Sequence, residues 1–91
     1  MQVLYSGQNI TLGNFKIALT GLSKPNQNNV SFALMNIYYD DVLTNTTQLS
    51  PGSYEIFQIG NQKLNVEVNK TFLGLYTYEQ WAKIKATLNN S

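Results

Sequence analysis

The chain has 91 residues with no Cys, no His and no Arg, and six Lys against five acidic residues leave a net charge of +1. This excludes a disulfide framework, a thiolate metal site, a histidine-based triad or zinc site, and an arginine reader of phosphate or guanine. No strong charge balance points to nucleic acid or an acidic membrane surface.

One domain, 1–91, with a single modest core is the expectation from length. Gln2 to Ser6 reads as a short opening strand, broken by Gly7 and Gln8. Asn9 to Leu12 puts Ile10 and Leu12 on one face, and Gly13-Asn14 turns the chain. Phe15, Ile17 and Leu19 then alternate with Lys16, Ala18 and Thr20, a half-buried strand reaching about Leu22. Ser23 to Asn29 is a polar loop containing Pro25.

Val30 to Tyr39 is the longest apolar and aromatic run, with no Gly, Pro or charge. Its β-branched and aromatic residues favour a strand over a helix. Both alternating sets are largely apolar, so the run is expected to be covered on both faces. Asn36 interrupts one set, so the Ala33, Met35, Ile37, Tyr39 side is the one expected to face the interior or a neighbouring subunit.

Asp40-Asp41 is a turn candidate, followed by a Thr-rich strand from Val42 to Leu49 near an edge. In Ser50-Pro51-Gly52-Ser53, proline presets φ at the first corner and glycine supplies φ > 0 at the second, as a type II turn requires. Tyr54 to Ile59 is the next strand, and Gly60-Asn61-Gln62 a tight hairpin connection. Leu64, Val66 and Val68 alternate with polar neighbours, and Phe72, Leu73 and Leu75 around Gly74 read as an apolar bend.

The last segment supports two readings. Thr77 and Gln80 fit a helix capping box, yet Ala82, Ile84, Ala86 and Leu88 alternate with Trp81, Lys83, Lys85 and Thr87. The strand is favoured, because a sheet built this way needs a closing partner. The sum is an all-β fold, a small immunoglobulin-like β-sandwich of seven to eight strands. The alternative is a small β-barrel with a C-terminal helix.

Charged residues make up 12% of the chain, about half the usual share. With few carboxylates to protonate, the surface depends little on pH, and acid tolerance in an extracellular medium is one expectation. No run approaches the roughly 20 apolar residues of a membrane-spanning helix, so no membrane insertion is expected. Met1 to Gly7 lacks a basic region and a long apolar core, so it does not read as a signal peptide. The chain then stays in its cell of origin, is a mature or excised domain, or belongs to a virus released by lysis.

The carboxylates Asp40, Asp41, Glu55, Glu67 and Glu79 show no spacing that selects an acid/base pair, so no catalysis is expected. Asp40-Asp41 could offer oxygen ligands to Ca²⁺, but adjacent acids in a turn are more often solvated, and neither metal nor cofactor is expected. No glycine-rich phosphate loop is present. The aromatics Tyr38, Tyr39, Tyr54, Tyr76, Tyr78 and Trp81 could stack on a sugar, against the commoner role of core and interface packing.

Five Asn-x-Ser/Thr sequons, at Asn9, Asn29, Asn45, Asn69 and Asn89, stand in a chain with twelve Asn residues. Chance would supply roughly two, so the excess points to an N-glycosylated surface protein, with coincidence in an Asn- and Thr-rich chain as the competing reading.

The order S-G-Q-N-I-T-L-G-N-F-K-I-A-L, a long apolar strand, L-S-P-G-S-Y-E-I-F, K-L-N-V-E-V and W-A-K-I-K-A-T-L resembles archaeal cell-surface β-sandwich domains of the S-layer type. The resemblance covers most of the chain and implies a lattice or appendage role without catalysis. It carries over no functional residues, and the missing signal and anchor depart from the pattern. The expected function is a non-catalytic structural module of a cell surface, extracellular filament or virion. Its partners would be copies of itself or other surface or virion subunits. The alternative is a carbohydrate- or receptor-binding module using exposed Tyr and Trp.

Overall fold

Short alternating runs cut by turn residues produce eight strands in the computed structural model, which describes residues 1–90. They are β1 (Gln2–Tyr5), β2 (Asn9–Leu12), β3 (Phe15–Leu22), β4 (Ala33–Tyr39), β5 (Val42–Leu49), β6 (Tyr54–Ile59), β7 (Gln62–Phe72) and β8 (Trp81–Asn90). A single 3-10 turn, Thr77–Glu79, precedes β8. The strands form two four-stranded antiparallel sheets, a first in the order β1-β8-β7-β6 and a second in the order β2-β3-β4-β5.

The sandwich agrees with expectation, and its strand order refines it. Sequential strands are hairpin neighbours from β2 to β5 and from β6 to β8; the chain changes sheet only between β1 and β2 and between β5 and β6. This is a rolled meander closed by the β1–β8 pair, without the Greek-key connections of an immunoglobulin domain. Consecutive elements are neighbours throughout, and the two changes of sheet, across Ser6–Gln8 and Ser50–Ser53, join edge strand to edge strand, so no connection crosses over a sheet. Between β8 and the 3-10 turn there is no helix, so the C-terminal segment is the favoured strand. The Thr77–Gln80 capping box does not form: the turn is capped one residue earlier, at Tyr76, where the Glu79 carboxylate accepts from the backbone N–H of Leu75 and Tyr76 at 3.2 and 3.0 Å.

The turns follow their chemistry. Asp40 and Asp41 both carry positive φ, at 50° and 64°, as a two-residue type I′ hairpin turn demands. Gly52 sits at φ 89°, and the Ser53 N–H donates to the Ser50 carbonyl at 3.0 Å, closing the type II turn. The end of that turn already continues the β6–β7 ladder: Gly52 N–H donates to the Val68 carbonyl at 2.7 Å and Val68 N–H to the Ser53 carbonyl at 3.0 Å.

The core is the inner set of both sheets. Phe15, Ile17, Leu19, Ala33, Met35 and Ile37 of the second sheet meet Leu64, Val66, Val68, Ala82 and Ile84 of the first. The central run needs two corrections. Val30–Phe32 precede β4 as an approach segment, held where the Asn26 side chain accepts from the N–H of Asn28 and Val30 at 2.9 and 3.1 Å. And β4 is covered on one face: Ala33, Met35 and Ile37 are fully buried while Leu34, Asn36 and Tyr38 are half-exposed, because the second sheet has nothing packed on its outside.

Three bulges interrupt the ladders, at Thr20 of β3, Thr44 of β5 and Asn69 of β7. At the first two, the threonine hydroxyl donates to a carbonyl of the adjoining strand, Leu34 at 3.0 Å and Ile37 at 3.1 Å. A side-chain donor thus replaces a main-chain bond that the bulge disrupts.

Candidate functional site

Strand register, read across the first sheet, assembles a row of large rings on its outer face. Tyr5 of β1 pairs with Trp81 of β8, which pairs with Phe72 of β7. Leu4 and Ala82, their neighbours along the strands, point into the core, so these three rings must point out. Tyr5 and Phe72 are 44% and 45% exposed, and Phe72 stacks on Trp81 with ring centroids 5.6 Å apart at 21°. The loop joining Phe72 to Trp81 adds a second stacked pair, Tyr76 and Tyr78, at 5.5 Å and 5°, beside the almost bare Leu75. Gln80 anchors that loop: its side-chain oxygen accepts from the Ser6 hydroxyl at 3.2 Å and the Leu22 N–H at 3.3 Å.

Two residues further along the same strands lies a basic row. Val3 pairs with Lys83, which pairs with Lys70. Lys85 and Lys63 continue the lysines along this face, and its one carboxylate is Glu67, in register with Lys85. Lys70 and Lys83 therefore face each other with no acid opposite either, and among the described residues the one ion pair lies elsewhere, Lys16–Asp41 at 3.8 Å. Lys70 and Phe72 also line a groove of about 380 Å³ that runs toward Val30 and Pro51. A second groove, about 550 Å³, opens at the start of β1, beyond which β8 has no partner on that side, and is lined by Ile10, Leu12, Ile84 and Ala86 among others.

No family model, no curated protein and no solved structure matches this chain.

The sequence-derived candidates are dispersed. Trp81 joins the ring row, and Tyr76 and Tyr78 sit on its loop. Tyr39 belongs to the core margin, edge-on to Phe15 at 4.9 Å, and Tyr38 lies on the opposite sheet under the Lys16 ammonium at 4.7 Å. Those two are therefore not part of a common platform with the others. Tyr54 is exposed on the same face, on β6 beside the strand that carries Phe72, but lies opposite Glu67, farther along that strand. Asp40 accepts from the Asn14 amide at 2.7 Å and Asp41 pairs with Lys16, so both turn carboxylates have partners. Glu55 accepts from the buried Thr47 hydroxyl. Among the described residues no group of three or more His, Cys, Asp or Glu could hold a metal.

All five sequon asparagines, Asn9, Asn29, Asn45, Asn69 and Asn89, are exposed, while Ser91 of the last sequon lies outside the described residues. The hydroxyl residues differ. Thr11 is exposed, Ser31 and Thr47 are buried, and Thr71 donates to the Ser31 carbonyl at 2.9 Å.

Tyr5, Phe72, Lys70 and Lys83 were not singled out by sequence. Phe72 reads there as part of a bend, and Tyr5 as an ordinary strand residue. The signal that could have found them is the pairing of β7 with β8 through the bulge at Asn69, which places Lys70 and Phe72 outward rather than in phase with Leu64, Val66 and Val68.

Proposed function

We propose that this chain is a non-catalytic contact module of an extracellular structure or a virion, and that its working surface is the outer face of the first sheet. One observation carries the reading: the cross-strand row Tyr5–Trp81–Phe72, with Tyr5 and Phe72 exposed and Trp81 half-buried between them, is followed on the adjoining loop by exposed Leu75, Tyr76 and Tyr78 and has lysines at its border. Apolar patches rimmed by polar groups mark interaction surfaces. The lateral edges support contact less well. β1 and β2 are four residues each, β5 is bulged at Thr44, and β6 turns Glu55 toward the interior side of the edge. Short, bulged or inwardly charged edges discourage strand-to-strand addition. The exposed sequon asparagines and the resemblance to archaeal surface domains support the extracellular setting.

Size-exclusion chromatography with light scattering and electron microscopy tests the reading. Wild-type chain should associate with itself or with other subunits, and Phe72→Ser with Trp81→Ser should abolish that association while the fold persists. Association unchanged in the double variant would overturn the choice of face. A second reading, carbohydrate binding, is favoured by the Phe72–Trp81 stack, an exposed ring held against a half-buried one, which offers a rigid apolar surface to a sugar ring. A shift of a monomer on a glycan array supports it. On native material, an intact mass raised in hexose increments supports glycosylation, and a bare 10.3 kDa mass ends it.

A further inference from the structure

We infer that the ring row and the lysine row beside it form one binding site for an acidic polysaccharide, a sugar chain bearing carboxylate or sulfate groups. The inference rests on the reading that this face is the working surface, and adds the ligand class.

Four observations converge on it. Four of the six lysines, Lys63, Lys70, Lys83 and Lys85, lie on this one face against the single carboxylate Glu67. Lys70 and Lys83 are direct cross-strand partners, with Cβ atoms about 5 Å apart in such pairs, and like charges placed so are destabilising. Neither has an acid within ion-pair distance, so the fold carries this repulsion without neutralising it. The third observation is adjacency. Lys70 precedes Phe72 by two residues and Lys83 follows Trp81 by two, so each lysine stands beside a stacked ring on the same face, about 7 Å along the strand. Lastly, the groove walled by Lys70 and Phe72 extends the site toward Val30 and Pro51, room for a chain rather than a single ring.

A ring platform recognises the apolar face of a sugar, and an uncompensated pair of ammonium groups next to it recognises an anion. A neutral glycan would leave the lysine pair unused. Symmetric pairing of this face with its own copy would bring lysine against lysine, so self-association through it joins the ring row to a different face of the neighbouring copy and leaves the lysine pair for an anion. Single-stranded nucleic acid also offers rings and charge, but the site has no arginine to stack on bases or fork onto phosphates.

Trp81 is the only tryptophan, so its emission reports on the site directly. The full chain, made in a host that does not glycosylate it, is titrated with polygalacturonate, dextran sulfate, neutral dextran and oligodeoxythymidine. Saturable change of Trp81 emission by one or both acidic polymers, and none by neutral dextran, is expected; the two acidic arms tell carboxylate from sulfate. Binding should weaken at least about tenfold between about 50 mM and about 500 mM NaCl. Lys70→Gln with Lys83→Gln should weaken it about tenfold, the sum of two surface charge contacts, with a melting temperature no lower than wild type because a repulsion is relieved. Phe72→Ser should weaken it as well. Equal affinity of the double lysine variant, equal binding of neutral dextran, or tighter binding of oligodeoxythymidine would overturn the proposal. Silence in all four arms also overturns it. If self-association then still depends on Phe72, the working face stands without this ligand; if it does not, both readings fall.

Discussion

The two outer faces of the sandwich rest on the same core and are built by the same alternation, yet they carry different chemistry. The first sheet shows rings in a row and four lysines, two of them opposed without an acid. The second shows Asn9, Thr11, Ala18, Thr20, Asn36 and Thr46, and its one lysine, Lys16, lies over Tyr38 and pairs with Asp41. On the second face the one lysine is neutralised and its larger side chains, Leu34, Tyr38 and Leu43, are set among small polar ones rather than in a row of stacked rings. On the first face local rules are broken: like charges oppose and large rings stay wet. Such departures mark function more often than stability, since the fold gains nothing from them.

That contrast can be broken at several levels. The largest effect comes from the shared core. Ile37→Ala empties a fully buried position of β4 and should cost about 2–5 kcal/mol. Urea unfolding followed by Trp81 emission on one face and tyrosine absorbance overall should give a single coincident transition, and separate transitions would refute one shared core. Next is Gly74→Ala. Its φ is 67°, and an added Cβ would lie 2.7 Å from the Glu79 Cβ, so the loop bearing Tyr76 and Tyr78 must shift. About 1–3 kcal/mol is expected, with amide shifts confined to the ring end of the first face in NMR spectra.

A smaller effect separates the faces directly. Phe72→Ser removes an exposed ring stack and should cost about 0.5–1.5 kcal/mol beyond area burial, while abolishing contact by the first face. Leu34→Ser, its counterpart on the second face, should leave association and ligand binding unchanged in the same chromatography and emission assays. Asp41→Asn frees the Lys16 charge on the second face; the urea midpoint should not move and no polyanion binding should appear, because no ring row stands beside that lysine. Smallest is acid. With five carboxylates in the chain, the melting temperature at pH 3 should lie within about 5 °C of that at pH 7, roughly 1 kcal/mol for a chain of this size. A large loss at pH 3 would end the expectation of acid tolerance.

Much of the architecture was legible from residues alone, because it depends on local chemistry. Pro51-Gly52, Asp40-Asp41 and the alternation of Phe15, Ile17 and Leu19 each determine their own neighbourhood. The β8 strand was also legible, since Ala82 to Leu88 holds a period of two through four apolar positions. What escaped was anything needing two strands at once. The Tyr5–Trp81–Phe72 row joins residues 5, 72 and 81, and nothing along the chain links them until register is known. Tyr38 and Tyr39 misled for the same reason: adjacent in sequence, they fall on opposite faces of one strand. The meander order was hidden as well, because alternation reports which face a residue takes and not which strand lies beside it.

The bulges at Thr20, Thr44 and Asn69 have a consequence for how this chain can change over time. Elsewhere in a strand, losing one residue puts every later side chain out of step, so that core becomes surface and surface core. At a bulge one residue is surplus to the ladder. Removing Asn69 would bring Lys70 directly after Val68 and keep its outward phase, with Phe72 following. Length variation in relatives of this chain should therefore gather at these three positions as readily as in its loops, and a strand with one residue fewer there would still present the same two faces.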